Sequence, residues 1–308
     1  MPVLTKNQEQ RLDAVETAFF LRELEAIDAR VYEAKYAQYK ARMLLPTQDG
    51  IGENDDVYLY RMFDGVGQAD FIGNEADDLP SVDVKGNEFP TAIKQLGVSY
   101  RYSLREIRAA QRAGRPLDAM RAMRARRAME SKIDSILALG DSARGLKGVL
   151  SLSGTTSFTV SGNWGTLATA DPEAVAADIL GAVDAGVAAT DEAFTQYTVT
   201  MPLVSYQLAA KLRFGQGSDT TVLDFVKQKS PYIARVEPWF RTETAGSGST
   251  KRMACWPNDM EALAALVPQE LQFLPPDLRN LAYVVNGTAS CGGVVVRHPK
   301  SVVYADGI

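Results

Sequence analysis

Between residues 49 and 132 an acidic, glycine-punctuated segment runs straight into a strongly basic one. This limits what the chain can fold into. From Asp49 to Glu88 there are eleven acids against two bases, Arg61 and Lys85; from Arg101 to Lys132 there are ten bases against three acids. The net charge of the whole chain is only −5, so it hides two opposed blocks. Opposed blocks pair either within one chain or head to tail between copies. The acidic block also lacks the apolar spacing of a segment that folds on its own core.

Val57 to Phe63 predicts a strand, Gly65 and Gly67 turn the chain, and 69–73 is expected to return as the partner strand. Asp77, Asp78 and Pro80 close a polar stretch. The result is a long two-stranded excursion, which is marginal in water unless another surface receives it. Residues 5–45 predict a helix broken once. Leu12, Val15 and Phe19 share a face, then Phe20, Leu24, Ile27 and Val31, then Tyr32, Tyr36, Tyr39 and Met43. Such a stripe packs on the chain's own core or, lying near a terminus, on another subunit.

Leu96, Val98, Tyr100 and Tyr102 alternate as a half-buried strand. Ser103 and Glu106 have capping-box spacing for a short helix over 104–113. Pro116 opens a long helix to Leu139, about 36 Å at 1.5 Å per residue. Its apolar stripe is Leu117, Met120, Met123, Met129, Ile133, Ile136 and Leu137. Arg121, Arg124 and Arg127 line another side, where a row of charges is ordinarily solvated. After a loop over 145–170, Asp171-Pro172 starts a helix to about Ala189. A strand (197–201), two helices (202–213 and 220–229) and a strand (233–236) follow. Strand-like runs then lie at 252–256, 263–267, 293–297 and 301–304.

At 308 residues and 46% apolar, the chain is long enough for a sizeable core. No apolar run approaches the ~18 residues of a membrane span, and residues 1–13 lack the apolar stretch of a signal peptide. Two distant cysteines, Cys255 and Cys291, make no disulfide framework, so a reducing cytoplasm is the expected setting for assembly. With one histidine, His298, few catalytic or metal schemes can be built, and a structural role is expected for it.

Gly246-Ser247-Gly248-Ser249-Thr250-Lys251 lacks phosphate-loop spacing and reads as a hairpin tip. The carboxylates at 53–56 and 75–78 do not have calcium-loop spacing. Asn286-Gly287-Thr288 reads as a turn. No catalytic, cofactor or metal residue emerges, so the expectation is a non-enzyme. A soluble α/β enzyme is the rival from another class.

The order of elements then carries a resemblance. A helical arm, an acidic extended hairpin, the strand 96–102, the long helix, and Gly145-Leu146-Lys147-Gly148-Val149-Leu150 follow one another. The chain closes on Cys291-Gly292-Gly293-Val294-Val295-Val296-Arg297-His298-Pro299 and Tyr304-Ala305-Asp306-Gly307. This resembles the major capsid proteins of tailed double-stranded-DNA phages, the Hong Kong 97-like fold that encapsulin shells share. Residues 145–150 are similar to the family's Gly-Leu-x-Gly-Leu-Leu stretch.

The resemblance implies an α+β fold in four parts. These are an N-terminal arm (1–48), an extended loop (49–90), a peripheral domain (91–149 and 281–308, with a spine helix over 116–139) and an axial domain (150–280). It implies hexamers and pentamers that close an icosahedral shell around DNA, bound without sequence specificity and assembled in the host bacterial cytoplasm. A portal and a separate scaffold or cement protein are the implied partners, with no membrane and no cofactor. No long scaffolding domain precedes the arm, so a scaffold is expected to be a separate chain. An encapsulin-like compartment holding a cargo enzyme is the alternative. Arg121, Arg124 and Arg127 become candidates to face DNA. Asp55, Asp56, Asp77 and Asp78, Arg105, Arg108 and Arg112, and Phe19, Phe20, Leu24 and Ile27 become candidates to meet neighbouring subunits.

Overall fold

The computed structural model describes residues 39–308 except 54, 67–82, 104, 107–116, 163 and 215–218. Its centre is a five-stranded mixed sheet in which strand alternation serves two cores at once. The strands are β4 (Thr156–Phe158), β5 (Tyr197–Met201), β6 (Ile233–Pro238), β7 (Arg252–Pro257) and β13 (Val303–Asp306), in the order β4-β13-β7-β5-β6. Successive side chains of a strand point to opposite faces. Met253 and Cys255 of β7, with Val303 and Ala305 of β13, enter one core. Ala254 and Trp256, with Val302 and Tyr304, enter the other.

The first core is covered by three helices: α3 (Pro172–Ala188), α4 (Leu203–Lys211) and α5 (Val222–Lys229). The cap of α3 is the expected one, with Asp171 accepting from the Glu173 N–H beside Pro172. Thr221 caps α5 likewise through the Asp224 N–H. Asp178, buried on α3, accepts from the Ser161 N–H and hydroxyl and from Trp164 Nε1, so its desolvated carboxylate is well partnered.

The second core gathers the C-terminal half of the long helix α2 (Leu117–Leu139) and the single helical turn α1 (Ala41–Leu44). With them pack β8 (Leu263–Leu266), β12 (Gly293–Val296) and the end of β11 (Ala282–Cys291). Only part of the expected stripe on α2 is buried. Met129, Ile133, Ile136 and Leu137 are inside, whereas Met123 is 52% exposed. The loop after α2 is fixed by Gly145 in the left-handed conformation (φ 72°), which closes a turn on Ser142. Leu146, Val149 and Leu150 then drop into the core.

Beside these cores, β3 (Lys94–Ser103) pairs along its full length with β11, Lys94 opposite Cys291 and Ser103 opposite Ala282. The other edge of β11 takes β9 (Gln269–Phe273) and β10 (Asp277–Arg279) on successive stretches. On β3, Leu96, Val98, Tyr100 and Tyr102 are the covered positions, as alternation requires. The capping box forms in both directions. Glu106 accepts from the Ser103 N–H at 3.0 Å, and Ser103 Oγ accepts from the Glu106 N–H at 3.2 Å.

The structure corrects several local expectations. The partner of β1 (Val57–Val66) is β2 (Asp83–Ala92), in register from Val57 opposite Ala92 to Val66 opposite Asp83, and not 69–73, which lies outside the described residues. Asn286-Gly287-Thr288 is no turn but the middle of β11, where a Cβ at Gly287 would collide with the Phe273 ring. The Gly246–Lys251 tip holds a short turn whose Ser247 N–H is taken by the Asp306 carboxylate, so that amide already faces a negative charge. Within the expected helix 5–45, residues 1–38 lie outside the description and Ala41–Leu44 is helical.

Candidate assembly surfaces

Burial pushes the Cys255 thiol up to about 12 and the Cys291 thiol to about 11, so both stay protonated and unreactive. His298 packs its ring 5.4 Å from that of Phe194. Among the described residues no group of acids, cysteines and histidine is placed to hold a metal ion. No helix among them is long and apolar enough to cross a membrane. Two apolar surfaces stand out among the described residues.

The β1–β2 hairpin has two unlike faces. On one, Tyr60 stacks on Phe89 (5.3 Å) and neighbours Tyr58 (6.3 Å). The Arg297 guanidinium sits against this face. It donates to Tyr58 OH at 3.1 Å and to Gln48 Oε1 at 2.9 Å, and lies 5.5 Å from the centre of the Tyr60 ring. Tyr60 OH donates to the Val296 carbonyl at 3.3 Å, and burial raises the Tyr60 pKa despite the nearby arginine. On the opposite face Val57 and Leu59 are 54% and 49% exposed, with Pro90 exposed across from Leu59. The exposed Arg61–Glu88 pair, 2.7 Å, follows along the same face.

A second apolar surface lies on the β9–β10–β11 sheet. Leu274, Leu278 and Leu281 are exposed, Leu281 the most of any large apolar residue described, at 76%. Asn280 and Leu281 form the two-residue turn between β10 and β11 with φ of 48° and 60°. Two positive φ values suit such a turn, but asparagine and glycine are its usual residues. A leucine there is strained by about 1–2 kcal/mol, and the strain holds an apolar side chain outward.

The sequence-predicted residues divide as follows. Asp55 is exposed and accepts from the Gly52 N–H at 2.9 Å; Asp56 and Arg105 are exposed. Asp77, Asp78, Arg108, Arg112, Phe19, Phe20, Leu24 and Ile27 lie outside the described residues. Arg121 is engaged within its own chain. It is paired with Glu106 at 3.0 Å, bonded to the Arg101 carbonyl, and stacked 4.4 Å over the Tyr102 ring. The bond from Arg121, with the Ser103 N–H, holds the Glu106 carboxyl below the usual carboxylate range. Arg124 is exposed and Arg127 half-buried. The leucine tip at 281 escaped the sequence reading. Its only signal is an apolar residue after Asn280, without the glycine that marks such turns.

Two cores sharing one sheet, a long helix, a separate sheet and the β1–β2 hairpin make up a Hong Kong 97-like fold. The chain belongs to the major capsid protein family, whose family model matches residues 67–308. Its fold is similar to that in the capsid of Myoviridae phage XM1, with a TM-score of 0.80, 17% identity, and coverage of 93% of this chain and 98% of that one. Mycobacterium phage Bobi gives a TM-score of 0.61 at 14% identity, over 91% of this chain and 94% of that one. The virus-like particle from Pyrococcus furiosus gives 0.59 at 14% identity, over 86% and 91%. Comparison with curated proteins finds no match. By family the chain is a structural capsid protein, its fold is shared with tailed-phage capsids, and the encapsulin-like alternative is not better supported.

Proposed function

We propose that copies of this chain form hexamers and pentamers that close an icosahedral shell around packaged double-stranded DNA, assembled in the host bacterial cytoplasm with a portal and a separate scaffold or cement protein. The observation that carries this reading is the family match, joined to a subunit that leaves apolar surface uncovered on both its hairpin and its small sheet. Obligate interfaces commonly bury ~2,000–5,000 Å² or more and are rich in such surface. The helices α3, α4 and α5 over the first core would belong to the axial domain of residues 150–280, and α2, β3 and β11 to the peripheral domain of 91–149 and 281–308. With Arg121 paired to Glu106, contact with DNA phosphate is assigned to the helix face that carries the exposed Arg124. That contact would be indifferent to sequence and weakened by salt.

The acidic hairpin of one subunit would lie against the basic region of the next. Each exposed pair is worth ~0–1 kcal/mol, but repetition around a ring fixes register. Charge reversal tests this. Asp56, Asp77 and Asp78 become lysine in one variant, and Arg105, Arg108 and Arg112 become glutamate in another. Asp55 is spared because it bonds the Gly52 N–H. Each variant alone is expected to assemble poorly and the mixture to recover in part. Unimpaired single variants would refute the contact between subunits.

The Leu281 tip would insert into a neighbouring copy. Leu281→Gly should therefore move two measurements in opposite directions. Relief of the left-handed strain should stabilise the isolated subunit by about 1 kcal/mol, while the loss of apolar contact slows assembly seen by light scattering. Assembly at the wild-type rate would contradict the role.

A further inference from the structure

Residues 40–48 lead into the hairpin, and side chains or backbone from four distant parts of the chain grip them. Asp134, on α2, is a carboxylate only 2% exposed. Its Oδ1 accepts from the Ala41 N–H at 3.0 Å and its Oδ2 from Arg241 Nε at 2.9 Å, so it caps α1 from another helix. Lys40 Nζ reaches Glu237 (3.3 Å) and the Pro238 carbonyl (3.1 Å).

Arg235, on β6, bridges two successive carbonyls, Nη1 donating to Met43 at 2.8 Å and Nη2 to Leu44 at 2.9 Å. Its Nε is anchored on Thr198 Oγ1 at 3.1 Å, and Trp256 Nε1 also donates to the Leu44 carbonyl. Further on, the Gln48 N–H donates to the Ala265 carbonyl, and the Ala265 N–H to that of Pro46. Ala41, Leu44 and Leu45 are buried beneath this frame. A one-turn helix has no stability of its own. Two buried or half-buried charged groups spent on holding it need a reason beyond packing.

We propose that Asp134 and Arg235 are positioning residues for shell assembly. They fix the path of residues 40–45, so that in every subunit the chain enters the core at one place. The inference rests on the shell reading above, but its first test does not require a shell. Lys40 and Arg42 supply two trypsin sites inside the clamp, and cleavage there needs local opening.

In unassembled subunits, Arg235→Gln should speed cleavage after Lys40 and Arg42 roughly 10- to 100-fold, because a guanidinium bonded to two carbonyls is lost. Cleavage elsewhere should stay near wild type, and the thermal midpoint should fall by only a few degrees. Asp134→Asn, which keeps an acceptor for Ala41 but loses the ion pair, should give a smaller increase at the same two bonds. Under assembly conditions both variants should yield particles of mixed size from folded subunits. If Arg235→Gln melts globally, Arg235→Lys decides, since one ammonium keeps the charge but cannot reproduce the fork. Cleavage that rises evenly along the chain, or uniform wild-type particles from a subunit cut quickly after Lys40, would overturn the proposal. Absence of particles from the wild-type protein would instead count against the shell reading and leave the cleavage result standing.

Discussion

Removing residues 1–38 is expected to leave a folded subunit that no longer closes into shells, whereas removing residues 1–45 is expected to destroy the fold. The seven-residue difference is decisive because Leu44 and Leu45, at 0% and 3% exposure, belong to the core that also holds Ile133, Ile136 and Trp256. Losing a buried leucine typically costs ~2–5 kcal/mol, and the longer cut removes two. It also strips Asp134 and Arg235 of backbone partners, leaving charged groups partly unsatisfied. Against a total stability of ~5–15 kcal/mol, that is enough to unfold the subunit. The shorter cut removes Phe19, Phe20, Leu24 and Ile27, whose proposed partner is another subunit. Circular dichroism melting and particle imaging separate the two truncated chains. Normal shells from residues 39–308 would refute the arm's proposed role, and a well-folded 46–308 fragment would refute the clamp's share in the core.

Gly148→Ala is expected to lower stability by about 4 kcal/mol or more, beyond the usual range for one substitution, and to leave little soluble subunit. An added Cβ would run into backbone, the Gly140 nitrogen, the Leu139 carbonyl carbon and the Ala138 carbonyl oxygen, none of which can rotate away. The crossing is tight because residues 146–150 lie directly on the end of α2. Val149 and Leu150 donate to the Leu137 and Ala138 carbonyls, and Val294 of β12 donates to that of Lys147. Gly145→Ala is the control. Gly145 has φ 72° but open space where a Cβ would go, so the cost is backbone strain alone, about 1–2 kcal/mol. Urea unfolding of the two variants gives the comparison. A loss at Gly148 no larger than that at Gly145 would mean that this crossing does not constrain the fold.

Much of the fold could be read locally. The Ser103–Glu106 box, the Asp171 cap, the alternation of 96–102 and the strand at 252–256 all depend on neighbours within a few residues, and all appear where expected. Two kinds of feature could not be read this way. Pairing between distant segments leaves little local trace. The partner of β1 lies across a polar stretch, in a strand that carries Gly86 and Pro90, residues that argue against a strand. Tertiary packing can also overrule a local signal. Asn-Gly after paired valines is a strong hairpin sign, yet the Phe273 ring claims the space over Gly287 and the strand runs on. Asp134 was hidden for a related reason. One acid between Ile133 and Ile136 resembles the edge of a solvated face until Arg241 and the Ala41 N–H meet it. The exposed leucines of the β10–β11 turn left neither a charge block nor a periodic stripe in the sequence.

Electron cryomicroscopy of the purified full-length protein tests the shell-forming role most directly. The expected result is closed icosahedral particles whose map shows six- and five-membered rings of this chain, with the β1–β2 hairpin and the Leu281 tip covered by neighbouring copies. A monodisperse monomer that forms no particles at any concentration or ionic strength, with Val57, Leu59 and Leu281 left in solvent, would contradict it.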